Sequence, residues 1–117
     1  MKHIIESEKN LERKLNKAIK QNDGICVKLL TTFSNIGLPD RMCILKNKIF
    51  FVELKSTGKK PRPIQIFMIN KLRNLGFNVY VVDSTETMEK MFSNEDIIFL
   101  KNITGRTQDS PELVILL

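Results

Sequence analysis

Along the chain, apolar positions recur first with the period of a helix and then with the period of strands. Leu11, Leu15, Ala18 and Ile19 share one face of a helix that Ser7 can cap, running to about Asn22 with Gly24 as its stop. Residues 25–33 (ICVKLLTTF) then read as a strand, followed by a loop, FSNIGLP. RMCIL and IFFVELK form two more strands joined across Lys46, Asn47 and Lys48, a polar turn of hairpin length. After the basic loop STGKKPRP, Pro63 suits the first turn of a helix that Ile64, Phe67, Met68, Leu72 and Leu75 continue and Gly76 ends. NVYVVD (78–83) predicts a strand and residues 85–92 a short helix. The order αβββαβα predicts the α/β class, a mixed β-sheet flanked by helices.

Length and composition then bound the answer. The 117 residues, 42% of them apolar, suffice for one core and suggest a single domain over 1–117. No stretch approaches the roughly 18 to 20 apolar residues of a membrane helix, and the N-terminus lacks a signal core, so an intracellular, cytoplasmic protein of a bacterial or phage-infected cell is expected. Cys26 and Cys43 stand 17 positions apart with no CxxC, which excludes a metal finger or disulfide scaffold and predicts two buried thiols. His3, the one histidine, lies near a terminus, which argues against His-dependent hydrolysis or a His-ligated zinc.

Charge changes the picture most. Residues 41–76 hold nine basic side chains against one acidic, whereas residues 77–117 hold three against seven. The single acid in the basic stretch is Glu53, inside the apolar strand IFFVELK. With the hairpin turn centred on Asn47, paired positions sum to about 94, which sets Asp40 opposite position 53 or 54. Glu53 and Lys55, two apart, share one face of their strand while Val52 and Leu54 share the other. Two carboxylates on adjacent strands are a minimum site for a hard cation such as Mg²⁺, and a neighbouring lysine can orient water or stabilise developing charge in phosphodiester hydrolysis. For the spacing alone, a strand-end ion pair of Glu53 with Lys55, with Asp40 a turn residue after Pro39, is the simpler account.

The combination of GLPDR, a short hairpin, FFVELKSTGKKPRPIQ and then LRNLGFNVYVVDS resembles the VRR-NUC (virus-type replication-repair nuclease) family of the PD-(D/E)xK superfamily. SEKNLERKL resembles that family's opening helix, so the likeness covers about residues 6–92 and leaves 93–117 as a C-terminal extension. It implies a restriction-endonuclease-like core and Mg²⁺- or Mn²⁺-dependent DNA cleavage. Asp40 and Glu53, with the Leu54 backbone carbonyl, would be metal ligands, Lys55 the catalytic lysine and Gln65 the glutamine of the motif after the basic loop. Gln65 also falls in the first turn of its helix, where free N–H groups and the dipole favour an anion. Lys59, Lys60 and Arg62 precede that turn and are expected on DNA phosphates. Arg41 is another phosphate candidate or a balance for the carboxylates.

The resemblance further implies a glutamate from the first helix. Glu8 falls within the face of Leu11, Leu15 and Ile19, Glu12 at its margin, and Glu6 points away; the margin position and the likeness of LERKL to the helix motif favour Glu12 over Glu8. The chain departs from the family in carrying TTFSNIG where relatives are Gly- and Arg-rich, and in ending with ELVILL, which suggests an edge strand or a subunit interface. The resulting expectation is a structure-specific endonuclease for branched DNA, such as four-way (Holliday) junctions, working as a homodimer. A nuclease-fold DNA-binding module without activity is the alternative. One Tyr and no Trp offer few stacking platforms for a single-stranded RNA reader.

Overall fold

The structure, a computed structural model, describes residues 4–30 and 36–99. Seven elements follow in the expected order: α1 (Glu8–Gln21), β1 (Ile25–Lys28), β2 (Arg41–Leu45), β3 (Lys48–Leu54), α2 (Pro63–Asn74), β4 (Asn78–Val82) and α3 (Thr85–Asn94). The strands form one sheet in the order β1-β2-β3-β4. β1, β2 and β3 pair antiparallel, and α2 carries the chain over to β4, which lies parallel to β3. This is the mixed α/β sheet that the pattern predicts.

Each boundary has a local cause. Ser7 caps α1 by accepting a hydrogen bond from the Asn10 N–H at 3.1 Å. The helix ends at Asn22, and Asp23, with φ of 60°, makes the left-handed turn expected of a glycine. Gly24 is required for another reason: a Cβ there would sit 2.8 Å from the Ile44 carbonyl oxygen. The β2–β3 turn is Lys46-Asn47, one residue tighter than the sequence suggests, with Asn47 at φ 60°. Register partners therefore sum to 93, as in Arg41↔Val52, and Asp40 falls across from Glu53. The described part of β1 stops at Lys28, and residues 31–33 of the expected strand lie outside the described residues. The same holds for His3 and for the ELVILL end.

Alternation along β3 divides the two faces. Phe50, Val52 and Leu54 join Leu11, Leu15, Ala18 and Ile19 of α1 and Met88, Met91 and Phe92 of α3 in the main core. Glu53 therefore projects to the other face, where α2 lies and Gln65 and Ile69 are its buried residues. The apolar positions that continue α2 are turned largely outward, with Ile64 41% and Phe67 60% exposed. The helix is rotated so that a glutamine, not an isoleucine, meets the buried carboxylate of β3. Gly37 (φ 87°) lets the loop before β2 approach the α2 backbone, since a Cβ would lie 2.7 Å from the Ile64 carbonyl. Cys26 and Cys43 are register partners and free thiols; Cys43 is fully buried and Cys26 half-buried.

Candidate active site

The end of the sheet where β2 begins and β3 finishes gathers most of the expected residues. Asp40 is held from both sides: the Leu29 N–H donates to its backbone carbonyl and the Leu54 N–H to its Oδ2, both at 2.8 Å. A carboxylate fixed by a strand-end amide has little freedom to turn toward solvent, so its remaining lone pairs stay aimed along the sheet end.

Glu53 is 1% exposed, the most buried charged side chain of the described residues. Its Oε2 accepts from Gln65 Nε2 at 2.7 Å and faces the Lys55 ammonium at 3.2 Å. Its Oε1 is buried and meets no hydrogen-bond partner among the described residues. Burial, with the negative charge of Asp40 next and a smaller push from Glu8, raises the Glu53 pKa against the lowering effect of Lys55. Such a half-satisfied buried acid is costly unless something positive occupies the bare oxygen.

Gln65 is fixed by a reciprocal arrangement at the start of α2. Its Oε1 accepts from the Arg62 N–H at 2.8 Å, which commits its Nε2 to Glu53. It is 7% exposed, and its amide orients the Glu53 carboxylate and caps the helix in the turn where the sequence favours an anion. Lys55, anchored through its backbone N–H to the Val82 carbonyl at 2.9 Å, keeps its ammonium on the Glu53 side of β3.

The first helix contributes two acids with different partners. Glu12 pairs with Arg41, which is 5% exposed and also donates to the Asp40 carbonyl at 3.2 Å. Arg41 is thus engaged by an α1 carboxylate rather than by the side chain of Asp40 or Glu53. Glu8, one turn earlier, is the α1 acid whose charge is felt by Glu53. Both acids line a cleft of about 310 Å³ with Lys9, Lys28, Asp40, Arg41 and Leu54. Lys59, Lys60 and Arg62 are exposed on the loop before α2. A larger hollow of about 580 Å³ lies along α1 beside Ile4, Ile5 and Phe99, and Asp40, Glu53 and Lys55 are not among its lining residues.

The donor set suits a divalent cation held loosely. Among the described residues no three His, Cys, Asp or Glu side chains converge on a preformed cage. Two carboxylates and a strand-end carbonyl, with water and phosphate supplying the rest, match the preference of Mg²⁺ for partial hydration, and the bare Glu53 Oε1 is the oxygen that such an ion would satisfy.

Lys9 and Lys28 escaped the sequence reading. Nothing in ICVK shows that its last residue will pair with Arg41, because that depends on the β1–β2 register. The Glu6 network was also missed. Glu6 is buried (8% exposed) and accepts from the Thr85 N–H and Oγ1, both at 2.6 Å, and from Lys14 Nζ at 2.8 Å. Burial raises its pKa, but the bonds from Lys14 and Thr85 outweigh that and leave it lowered.

No family model matches the chain. A protein named as a nuclease, p44, of Acyrthosiphon pisum secondary endosymbiont phage 1 is 38% identical over 80 residues, which span 68% of this chain and 85% of that protein. A solved structure described as a VRR_NUC domain superposes with a TM-score of 0.67 at 27% identity, covering 75% of this chain and 97% of the other.

Proposed function

The chain belongs to the VRR-NUC nuclease family, and we propose that it is a Mg²⁺- or Mn²⁺-dependent DNA endonuclease acting on branched DNA. Nuclease activity, the hydrolysis of phosphodiester bonds, follows from the family. The observation that best supports metal dependence is the buried Glu53 Oε1 that no donor among the described residues reaches, across the sheet end from Asp40. Asp40, Glu53 and the Leu54 carbonyl would hold the ion. When bound, it supplies positive charge to a phosphodiester and acidifies water.

The protein's own groups have separable roles. Gln65 fixes the Glu53 carboxylate so that Oε2 is occupied and Oε1 is presented. Lys55, beside that carboxylate, is placed to orient the attacking water and to stabilise charge developing on the phosphate. Glu8 lines the cleft with Asp40 and its charge is felt at Glu53, which supports it as the α1 acid beside the metal ligands, with Glu12 holding Arg41 and through it the Asp40 backbone. Lys59, Lys60 and Arg62, together with the N-terminal end of α2, attract the phosphates of the bound strand.

Specificity for branched DNA rests on shape. No separate recognition module accompanies the nuclease fold in the described residues, and backbone contacts position a protein without reading sequence. A homodimer would supply paired active sites for a two-strand substrate; the outward-facing Ile64, Phe67 and Leu75 are apolar surface available for pairing. No helix among the described residues is long and apolar enough to cross a membrane.

The test is incubation of purified protein with end-labelled duplex, flap, fork and four-way DNA in Mg²⁺, Mn²⁺ or EDTA. Cleavage of the branched substrates with either metal and none with EDTA is expected. Binding of branched DNA with no cutting under any metal would instead identify a non-catalytic DNA-binding module.

A further inference from the structure

The cleft beside Asp40 has two lysines in its wall that no role yet accounts for. Lys28 ends the edge strand β1 directly across from Arg41, and alternation turns it to the same face of the sheet as Cys26, which packs on the α1 core. Lys9 lies in the first turn of α1. Both are exposed, both line the cleft, and neither has an ion pair with another described residue, although Glu8, Glu12 and Asp40 line the same space. A cation in the first turn of a helix sits where the dipole is already positive, an unfavourable position for helix stability but one that adds to the positive potential at the cleft.

The arrangement has two sides. The start of α2 lies on the Glu53 face of the sheet, where Gln65 bonds Glu53, and Lys59, Lys60 and Arg62 lead into it. Lys9 and Lys28 belong to the opposite, α1 face. Asp40 and Glu53 stand at the sheet end between them. Arg41 cannot supply charge on the α1 side, since Glu12 and burial claim it.

We propose that Lys9 and Lys28 form a second phosphate-binding wall, holding the DNA strand on the far side of the scissile phosphate from Lys59, Lys60 and Arg62. This rests on the DNA-nuclease reading above. A strand crossing the sheet end meets cations before and after the carboxylates, so the phosphate between them is presented to Asp40 and Glu53 by its neighbours. The ligand is backbone phosphate, and the contact carries no base preference.

The test uses the Glu53→Gln protein, so that binding can be measured without cutting. Affinity for labelled four-way and duplex DNA is measured across a range of salt for this parent and with Lys9→Ala, Lys28→Ala, both together, Lys59→Ala with Lys60→Ala, or Lys20→Ala added. Lys20 is exposed on the last turn of α1, remote from the cleft. Each cleft substitution should weaken binding and reduce the slope of log affinity against log salt by about 0.9, the pair by about twice that, with Lys20→Ala silent. Neither exposed-lysine substitution should lower the melting temperature, and Lys9→Ala should leave it equal or slightly higher, since it removes a cation from the positive end of the helix. Unchanged affinity and slope for the cleft variants, alongside a loss for the Lys59 and Lys60 variant, would overturn the second wall and leave the nuclease reading standing. A parent that binds neither DNA would overturn both. An edge-strand lysine that only blunts sheet pairing would change aggregation and leave the salt slope untouched.

Discussion

Two buried glutamates, Glu53 at the end of β3 and Glu6 just before α1, receive opposite treatment from the same fold. Glu6 accepts from a backbone amide, a hydroxyl and an ammonium, and its pKa is lowered despite burial. Glu53 is more deeply buried, has both its donors on one oxygen, and has its pKa raised by burial and by Asp40. Glu6 ties elements together: it joins α1 to the start of α3, and its backbone exchanges hydrogen bonds with Thr57 in the basic loop, N–H to Oγ1 at 2.8 Å and carbonyl from N–H at 3.0 Å. A carboxylate kept for structure is saturated with donors. One kept for chemistry is left short, and the deficit marks where a cation or substrate belongs.

The largest effect should come from exchanging each acid for its neutral isostere. Glu53→Gln should reduce cleavage by at least about a thousandfold while the protein melts at or above wild type, because an under-satisfied charge has left the interior. Glu6→Gln should do the reverse, keeping cleavage within about tenfold and lowering stability by about 1–3 kcal/mol. Single-turnover rates and thermal melts of the two variants check both halves. Asp40→Ala should resemble Glu53→Gln in rate, with DNA binding equal or tighter once phosphate repulsion is relieved.

Next in size is Lys55. Lys55→Ala should lower the single-turnover rate about a hundredfold with affinity changed less than about threefold, whereas loss of affinity at an unchanged rate would make Lys55 a phosphate contact.

The fold was legible because its signals are local: Ser7 capping, Pro63 opening α2 and alternation in IFFVELK each act within a few residues. The spacing that unites Asp40, Glu53 and Lys55 was legible for the same reason, since a hairpin carries its own register. What stayed hidden depends on contacts distant in sequence. α2 presents Gln65 and Ile69 inward against its own apolar stripe because Glu53, 12 positions earlier, takes the Gln65 amide. The helical wheel placed Glu6 away from the core face, yet Thr85, 79 positions on, buries it. Periodicity set Glu12 at the margin of the core face and favoured it over Glu8, but the partners of the two acids are set by where the β2–β3 end meets α1, which the wheel does not contain.

A smaller effect lies in pH. With no divalent cation present, the two acids should act on stability with opposite signs around their ordinary value of 4.5. The lowered pKa of Glu6 means that its contribution is present above that value and lost as pH falls through its folded pKa. The raised pKa of Glu53 means that its contribution is present below that value and lost as pH rises through its folded pKa. At neutral pH the Glu6→Gln protein should melt below wild type and the Glu53→Gln protein at or above it, and acidification should close both gaps. Smallest of all, Lys14→Met should cost about 0.5–1 kcal/mol, since its side chain is 38% exposed and the ion pair is screened by solvent.

The most direct test is Mn²⁺ binding, followed by water-proton relaxation, in wild type, Glu53→Gln and Glu6→Gln proteins with no DNA present. The wild-type and Glu6→Gln proteins should titrate alike and the Glu53→Gln protein should lose the site. Equal Mn²⁺ binding by all three would contradict the account, because the bare oxygen of Glu53 would then not be a metal position.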